Sequence, residues 1–377
     1  MPQIEILDIR GSKDGADAIP HLQHEILQGL LKAPGHRTLP SEILYDDEVG
    51  LRLYNEGMTT WSEWYYPIVA EKQILNAHGD EIAQSFARSS KGEAVLIELG
   101  AGSLEKTSQI LSSIANTVES NDSEAPIRYY ALDLERTALE TAIERLQGSI
   151  GDKIAGRIST IGLWGTYEDG IRLIKSNELG LDPDIPVHII FLGGTIGNFK
   201  KGEEDIAFLK NLPLNPERGD GLLLAMDGEK PAEVIERSYG FPAGKEWIMN
   251  GLKVAGRALT GDEELFKLEG WDRYAKYNEK LGEHVDSRVI MANSRTGRFE
   301  MGYRSVEAQT VKDKIHGIEI SFSKDEVILV LFSNKYTDRE MKDTLAQSGL
   351  KAAGSWANEG LQYYLFSLRP LESPAAT

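Results

Sequence analysis

From about residue 93 to residue 228, short apolar runs alternate with amphipathic stretches of helical period. The apolar runs are continuous rather than alternating, as in AVLIELG, IRYYALDL, VHIIFLGG and GLLLAMDG. Continuous runs suit strands that are buried on both faces by crossover helices. The pattern therefore predicts an α/β fold with an open, mostly parallel, doubly wound sheet.

The segments that flank this region have different patterns. Residues 1–90 look mainly helical, whereas residues 232–300 look helical at first and then change to strand-like alternation in DSRVIMAN, RFEMGYRS and EISFSKDEVILVLFSNKY. A helix over residues 338–348 and a final strand, YYLFSLRP, are predicted near the end. We therefore expect a sheet domain at residues 70–232 and a second, α+β lobe that both flanks form together.

The composition limits the partners and the chemistry. Lys and Arg total 41 against 59 Asp and Glu, a formal net charge of −18, which opposes binding to nucleic acid or to an anionic membrane. The absence of cysteine excludes thiolate chemistry, and the histidines lack metal spacing, so we expect no metal site. The N-terminus does not resemble a signal peptide, and no apolar run is long enough to span a membrane. We expect a cytoplasmic monomer or weak dimer.

The turn after the first predicted strand, in ELGAGSLEK, is the first candidate ligand site. Ligands of doubly wound sheets bind beyond the carboxyl ends of the strands, where the strand order reverses. Gly100 and Gly102 permit positive φ and let a ligand approach the backbone, although a tight strand-to-helix turn would use them too. The dinucleotide fingerprint needs a third glycine where Glu105 stands, and this acid would repel a diphosphate. The acidic turn that begins at Glu98 suits S-adenosylmethionine better, because that ligand carries a sulfonium and an amino acid head without phosphates.

Further candidate residues follow the other predicted strands. Asp133 ends the second strand, where a carboxylate can hold ribose hydroxyls or cap the next helix. Thr166 and Tyr167 follow the third strand, where an aromatic ring can lie near adenine. Gly193 and Asn198 belong to the turn FLGGTIGNF after the fourth. We expect Asn198 to be buried and to hold an amino acid's amino or carboxylate group, with a loop-fixing role as the alternative.

These motifs together resemble one family. ELGAGSLEKT, YYALDL, GTYEDG, FLGGTIGNF and the upstream YD…YYP segment are similar to the histidine Nα-methyltransferase family of ergothioneine biosynthesis. They resemble still more its fungal relatives that methylate tryptophan or dimethylallyltryptophan. The similarity spans about residues 40–370. The resemblance implies that a Rossmann-like domain binds S-adenosylmethionine and that a second lobe, built from both chain ends, closes over a small amino acid substrate.

The resemblance also implies roles for individual residues. It places Lys106 near the carboxylate of the methionine part of the cofactor. The complete set of expected cofactor residues is Glu98, Gly100, Gly102, Lys106, Asp133, Thr166, Tyr167 and Gly193. On the substrate side it implies Tyr45 and Tyr65 near the amino group, Asn198 on the amino acid portion and Tyr239 on the carboxylate. Tyr45 and Asn198 are the residues expected to orient the amine during catalysis.

The informative departure from the family lies near the C-terminus. Histidine enzymes carry an acidic residue two positions before a serine, and both bond the imidazole. In VLFSNKYT, Ser333 is kept, but Leu331 stands where the acid would be. Because leucine cannot pair with an imidazole N–H, a buried imidazole would lose about 1–3 kcal/mol, whereas an apolar wall suits an indole. An alternative alignment uses Glu319 and Ser321, but SNKYT and the helix after it favour Ser333.

Three functions follow from these observations. The first is Nα-methylation of an indole amino acid, with tryptophan as the simplest substrate and 4-dimethylallyltryptophan as its close rival. The second is histidine Nα-methylation, against which Leu331 argues. The third is cofactor binding without catalysis, in a partner or regulator, against which the matching substrate residues argue.

Overall fold

The computed structural model describes residues 4–11, 18–45, 47–61, 65–120, 125–240, 243–279 and 297–371. The helices are α1 (Ala18–Leu30), α2 (Glu48–Trp61), α3 (Tyr66–Ser85), α4 (Glu105–Ala115), α5 (Arg136–Ile154), α6 (Tyr167–Lys175), α7 (Glu204–Asn211), α8 (Ala232–Tyr239), α9 (Ala243–Thr260) and α10 (Asp338–Gln347). The strands are β1 (Ile6–Asp8), β2 (Ala94–Leu99), β3 (Ile127–Asp133), β4 (Ile158–Trp164), β5 (Val187–Phe191), β6 (Gly221–Asp227), β7 (Trp271–Asn278), β8 (Arg298–Ser305), β9 (Gln309–Asp313), β10 (Ile318–Phe322), β11 (Val327–Asn334), β12 (Leu350–Asn358) and β13 (Tyr363–Pro370). The predicted strand DSRVIMAN lies outside the described residues.

The chain divides into two compact units. Unit 1 contains residues 1–11, 67–228 and 336–377, and unit 2 contains residues 12–66 and 229–335. No described helix is both long enough and apolar enough to cross a membrane.

Unit 1 is built on one sheet of eight strands. Their order is β1-β4-β3-β2-β5-β6-β13-β12. The first six strands run parallel to their neighbours, whereas β13 and β12 are antiparallel additions. β2, β5 and β6 are buried along their whole length, as continuous apolar runs require. The predicted α/β, doubly wound fold is confirmed.

The strand order reverses beside β2. From β2 the chain builds outward through β3 and β4, and it then returns to β5 on the other side of β2. Because β2 and β5 pair in parallel, their carboxyl ends lie side by side. Gly100 follows one of these ends and Gly193 lies close after the other. This reversal point is where a doubly wound sheet binds its ligand.

The prediction that residues 336–377 belong to the second lobe is wrong. β13 pairs with β6 from Leu368↔Leu222 to Tyr363↔Asp227, and β12 pairs with β13. Because β6 is buried at every position, it needs a hydrogen-bonded neighbour on each side, and β5 and β13 supply them. Hydrophobic periodicity indicates that a strand exists but not which strand it pairs with. The prediction was wrong because it took distance along the sequence as separation from the sheet domain.

Unit 2 is built from chain segments that come before and after the central part of unit 1 in the sequence. It contains a three-stranded antiparallel sheet, in the order β11-β8-β7, and a separate hairpin of β9 and β10. Its helices are α1, α2, α8 and α9, and the buried Trp247 of α9 donates its indole N–H to the Leu44 carbonyl at 3.0 Å. The expected α+β character is present, although the patterns did not predict β7.

Candidate active site

The two glycines of the turn after β2 differ in the space around them. Gly100 and Gly102 have φ of +77° and +55°, which glycine adopts without steric cost. The N–H groups of Gly100 and Ala101 both donate to the Leu132 carbonyl, at 3.0 and 2.9 Å. A Cβ on Gly100 would lie 2.8 Å from the Tyr167 hydroxyl, whereas one on Gly102 would meet nothing within 4 Å. The backbone at Gly102 is therefore accessible to a ligand.

Asp133 connects this turn to the end of β3. Its Oδ2 accepts the Gly102 N–H at 2.9 Å, and its Oδ1 accepts the Glu135 N–H at 3.4 Å. Burial raises the pKa of Asp133, and these backbone donors oppose the rise. The alternative role as a helix cap is wrong, because Glu135 caps α5 by accepting the Ala138 N–H. The Asp133 carboxylate keeps lone pairs for ribose hydroxyls, and that role stays a prediction.

Glu98 supports the same turn from inside the sheet. Its carboxylate is buried and accepts the Thr107 hydroxyl at 2.8 Å and the Tyr129 hydroxyl. Burial raises the pKa of Glu98 to about 7, although these hydrogen bonds lower it in part. Glu98 thus links the end of β2 to α4 and β3, and its predicted contact with the cofactor stays a prediction.

A carboxylate that the sequence did not reveal joins the two glycine turns. Glu71 of α3 is fully buried, and its Oε1 accepts the Gly193 N–H at 2.9 Å and the Tyr363 hydroxyl at 3.2 Å. Its Oε2 forms an ion pair with Lys106. The Lys106 side chain is 24% exposed and has donors beyond the one that Glu71 accepts, so it can still bind a carboxylate. An acid within a helical pattern gives no local signal of such a role.

The turn after β5 is held at both ends. Gly193 has φ of +75° and donates to Glu71. At the other end, the buried Tyr336 hydroxyl lies 3.3 Å from the Ile196 carbonyl. Asn198 ends the short 3-10 helix of this turn and is exposed, so the expectation of a buried asparagine is wrong. The exposed amide is accessible to a ligand.

Thr166 and Tyr167 mark the start of α6. The Thr166 hydroxyl accepts the Asp169 N–H at 3.1 Å, and the Asp169 carboxylate accepts the Thr166 N–H at 3.1 Å, which is a capping box. The Tyr167 ring packs edge-on against Phe191 and Phe208, with centroids 5.5 and 6.1 Å away. Thr166 therefore has a structural role, and the contact of both residues with adenine stays a prediction.

In unit 2, four polar side chains form a hydrogen-bonded group that we call the tyrosine cluster: Tyr65, Tyr239, Ser333 and Lys335. The Tyr65 hydroxyl donates to the Tyr239 hydroxyl at 3.0 Å. The fully buried Lys335 donates to the Tyr239 hydroxyl at 3.1 Å and to the Ser333 hydroxyl at 2.8 Å. The other three residues were predicted through the family resemblance, but Lys335 was not, although a spacing of two from Ser333 puts both on one side of an extended chain.

Leu331 lies on the same face of β11 as Ser333. These residues are opposite Met301 and Phe299 of β8, and a spacing of two along a strand preserves the face. The Phe299 ring also stacks on Tyr239, with centroids 4.0 Å apart. Leu331 therefore adds apolar surface to the face that carries the tyrosine cluster.

The alternative residues Glu319 and Ser321 lie elsewhere in unit 2. Glu319 is exposed on β10 and forms an ion pair with Lys312 at 2.8 Å. Ser321 is also exposed, and its hydroxyl lies 3.0 Å from that of Thr310. Neither side chain belongs to the tyrosine cluster, and the alignment that uses Ser333 stays a prediction.

Tyr45 belongs to an aromatic group of unit 2. Its ring packs edge-on against Tyr54 and Trp247, with centroids 5.2 and 5.5 Å away. This packing fixes the position of the ring, and its role near the substrate amine stays a prediction.

Similarity to known proteins identifies the family. Residues 22–370 match the family of histidine-specific, S-adenosylmethionine-dependent methyltransferases. The chain belongs to this family. It is 59% identical to the L-tryptophan methyltransferase trpM of Psilocybe serbica over 99% of this chain and 100% of that protein. It is 28% identical to the 4-dimethylallyltryptophan N-methyltransferase easF of Claviceps purpurea over 98% of this chain and 99% of that protein.

The described residues of this methyltransferase fit its cofactor, S-adenosylmethionine. Gly102 offers open backbone, Asp133 offers a carboxylate for the ribose, and Lys106 offers an ammonium for the carboxylate of the amino acid head. Glu105 begins α4 and pairs with Lys72 at 2.7 Å, an arrangement that does not suit a diphosphate. Within the described ranges, no cluster of three or more acidic or histidine side chains could hold a metal ion.

Proposed function

We propose that this methyltransferase methylates the α-amino group of L-tryptophan. The observation that carries the proposal is the 59% identity, over essentially the whole of both chains, to a protein named L-tryptophan methyltransferase. Leu331 supports an indole substrate, because it adds apolar surface where histidine enzymes would carry an acid for the imidazole.

In this proposal the predicted residues divide into two groups by role. Glu98, Gly100, Gly102, Lys106, Asp133, Thr166, Tyr167 and Gly193 serve the cofactor. Tyr65, Tyr239, Leu331 and Ser333 bind the amino acid, while Tyr45 and Asn198 orient its amine. S-adenosylmethionine, when bound, supplies a methyl group whose bond to sulfur breaks as the bond to the amine nitrogen forms, leaving a neutral thioether.

The side chains must prepare the amine before it can react. An amino acid is mostly protonated on its amine at pH 7, and only the neutral amine has a lone pair. Tyrosine hydroxyls and the Asn198 carbonyl oxygen can accept the N–H groups and so fix the direction of that lone pair. Orientation of this kind can supply a large part of a rate enhancement without a metal.

A second candidate substrate is 4-dimethylallyltryptophan. The 28% identity to a 4-dimethylallyltryptophan N-methyltransferase supports it, and an apolar wall at Leu331 suits a prenylated indole as well. Histidine fits less well, since Leu331 offers no partner for an imidazole N–H.

The test is a comparison of substrates. Purified protein is incubated with S-adenosylmethionine and with tryptophan, 4-dimethylallyltryptophan or histidine, and products are identified by mass. We expect the highest kcat/KM with tryptophan. Turnover of histidine alone would reject an indole substrate, and cofactor binding without any turnover would favour a regulator.

A further inference from the structure

Lys335 donates hydrogen bonds to two of the proposed substrate residues. Its ammonium is 3.1 Å from the Tyr239 hydroxyl and 2.8 Å from the Ser333 hydroxyl. An ammonium has donors and no acceptor, so both hydroxyl oxygens accept from it. The protons of these two hydroxyls must therefore point elsewhere.

The contacts of Tyr239 restrict it further. Its oxygen accepts from Lys335 and also from the Tyr65 hydroxyl, at 3.0 Å. A phenol has one proton, and two donors already occupy the oxygen, so Tyr239 can only donate to a third group. Its ligand must therefore be a hydrogen-bond acceptor.

An amino acid offers this acceptor at one end only. Near neutral pH its carboxylate accepts hydrogen bonds, whereas its protonated amine donates them. A tyrosine fixed as a donor therefore selects the carboxylate. A hydrogen bond to an ionised acceptor is also stronger than one to a neutral acceptor.

We propose that Lys335 is a positioning residue for recognition of the substrate carboxylate. By donating to Tyr239 and Ser333, it fixes Tyr239 as a donor to the carboxylate without contacting the substrate itself. The inference rests on the proposed function, because it requires an amino acid as the substrate. It predicts that discrimination between an amino acid and its neutral amide depends on Lys335.

The experiment compares L-tryptophan with L-tryptophanamide, which lacks the carboxylate charge. Affinities are measured by calorimetry on the full chain with saturating S-adenosylhomocysteine, and kcat and KM are measured in parallel. In Lys335→Met, which keeps most of the length of the side chain but loses its donors, we expect the preference for tryptophan to fall about ten-fold or more, mainly through KM. Lys335→Arg keeps donors and should restore part of the preference.

Lys312→Met is the matched control, because Lys312 is an exposed lysine of the same unit that pairs with Glu319. Its preference should equal that of the wild type. If Lys335→Met folds, binds cofactor normally and keeps the wild-type preference, the inference is wrong. If Lys335→Met does not fold, Lys335→Leu, which also has no donor, replaces it, and an unchanged preference there is equally decisive.

The two proposals fail in different ways. A wild-type protein that neither binds nor methylates tryptophan would overturn the proposed function and this inference with it. A wild-type protein that methylates tryptophan, with Lys335 variants that retain its preference over the amide, would overturn only the role of Lys335.

Discussion

The two units form their candidate sites by different means. In unit 1 the site follows the ends of neighbouring parallel strands, with Gly100 after β2, Asp133 at the end of β3 and Gly193 after β5. In unit 2 the tyrosine cluster consists of side chains from distant parts of the chain, and it depends on hydrogen bonds between them. The first site is specified mainly by backbone path, and the second mainly by side-chain chemistry.

This difference has a consequence for substitutions. A backbone site should be sensitive to changes that alter φ or fill the turn, and less sensitive to most side-chain exchanges around it. A side-chain cluster should respond to the loss of a single donor. Glu71 is the exception within unit 1, because one buried carboxylate binds both Lys106 and the Gly193 backbone.

The largest effect on stability is expected for Lys106→Met, which removes the ion pair of Glu71, the exception within unit 1. The variant leaves the fully buried Glu71 without its ion-pair partner. Removing one partner of a buried pair costs about 3–5 kcal/mol, and since Lys106 is partly exposed we expect about 2–3 kcal/mol in the free energy of unfolding. Urea denaturation measures this loss.

Glu71→Gln is the comparison variant for Lys106→Met. The amide oxygen can still accept from Gly193 and Tyr363, and Lys106 remains partly solvated, so the cost should be smaller. The double variant should also be more stable than Lys106→Met alone. Equal costs for the two single variants would show that the ion pair does not determine the stability of this region.

Gly100→Ala tests the backbone site directly. The residue has φ of +77°, and a Cβ there would lie 2.8 Å from the Tyr167 hydroxyl. Left-handed backbone costs a non-glycine residue about 1–2 kcal/mol, and displacement of Tyr167 should also lower the affinity for S-adenosylhomocysteine about ten-fold. Calorimetry measures the affinity.

Gly92→Ala is the matched control for Gly100→Ala. Gly92 has φ of +81°, but a Cβ there would meet nothing within 4 Å. Both variants should lose similar stability, and only Gly100→Ala should lose affinity. Tyr167→Phe in the Gly100→Ala background should restore part of it. Equal affinities in the two glycine variants would mean that the turn does not approach the cofactor.

Leu331→Glu tests the side-chain site of unit 2. A carboxylate on the face that carries the tyrosine cluster should lower kcat/KM for tryptophan about ten-fold, because it would be desolvated beside an apolar indole. The affinity for S-adenosylhomocysteine should not change. Leu329→Glu is the control: Leu329 is also half-buried on β11, but a bulge between Leu329 and Leu331 pairs it with Gly302, the residue next to Met301, and so puts it on the other face. Unchanged kinetics for Leu331→Glu would mean that the indole does not contact this position.

Much of unit 1 could be predicted because its physical causes are local in the sequence. Strands buried on both faces leave continuous apolar runs, and turns with positive φ leave glycines. The pairing of β13 with β6 and the role of Glu71 could not be predicted, because both depend on residues far away in the sequence. The exposure of Asn198 also follows from the path of its turn rather than from its neighbours in sequence.

The site of unit 2 was less predictable for the same reason. Tyr65, Tyr239 and Ser333 were predicted only through resemblance to a family, since no local pattern distinguishes them. Lys335 was missed because a lysine after a strand is usually a surface residue. Its burial is stabilised by hydroxyls that come from separate segments of the unit.

The last expected effect is a pH dependence of stability from two buried groups of unit 1. Burial raises the pKa of Glu98 from 4.5 to about 7 and lowers that of His188 from 6.5 to about 4. The contribution of Glu98 is therefore complete below about pH 4.5 and is lost as the pH rises through 7. The contribution of His188 is complete above about pH 6.5 and is lost as the pH falls through 4.

Between about pH 4.5 and 6.5 the two contributions have opposite slopes and partly cancel. Glu98→Gln keeps the neutral shape of the side chain but cannot titrate, so it should leave the His188 slope uncompensated. The free energy of unfolding should then rise with pH more steeply than in the wild type, by up to about 1.4 kcal/mol per pH unit. Urea denaturation at pH 5, 6 and 7 measures the difference. If the free energy of unfolding has the same pH slope in both proteins, Glu98 is already ionised in the folded state. It then accepts its hydrogen bonds at the turn as a carboxylate.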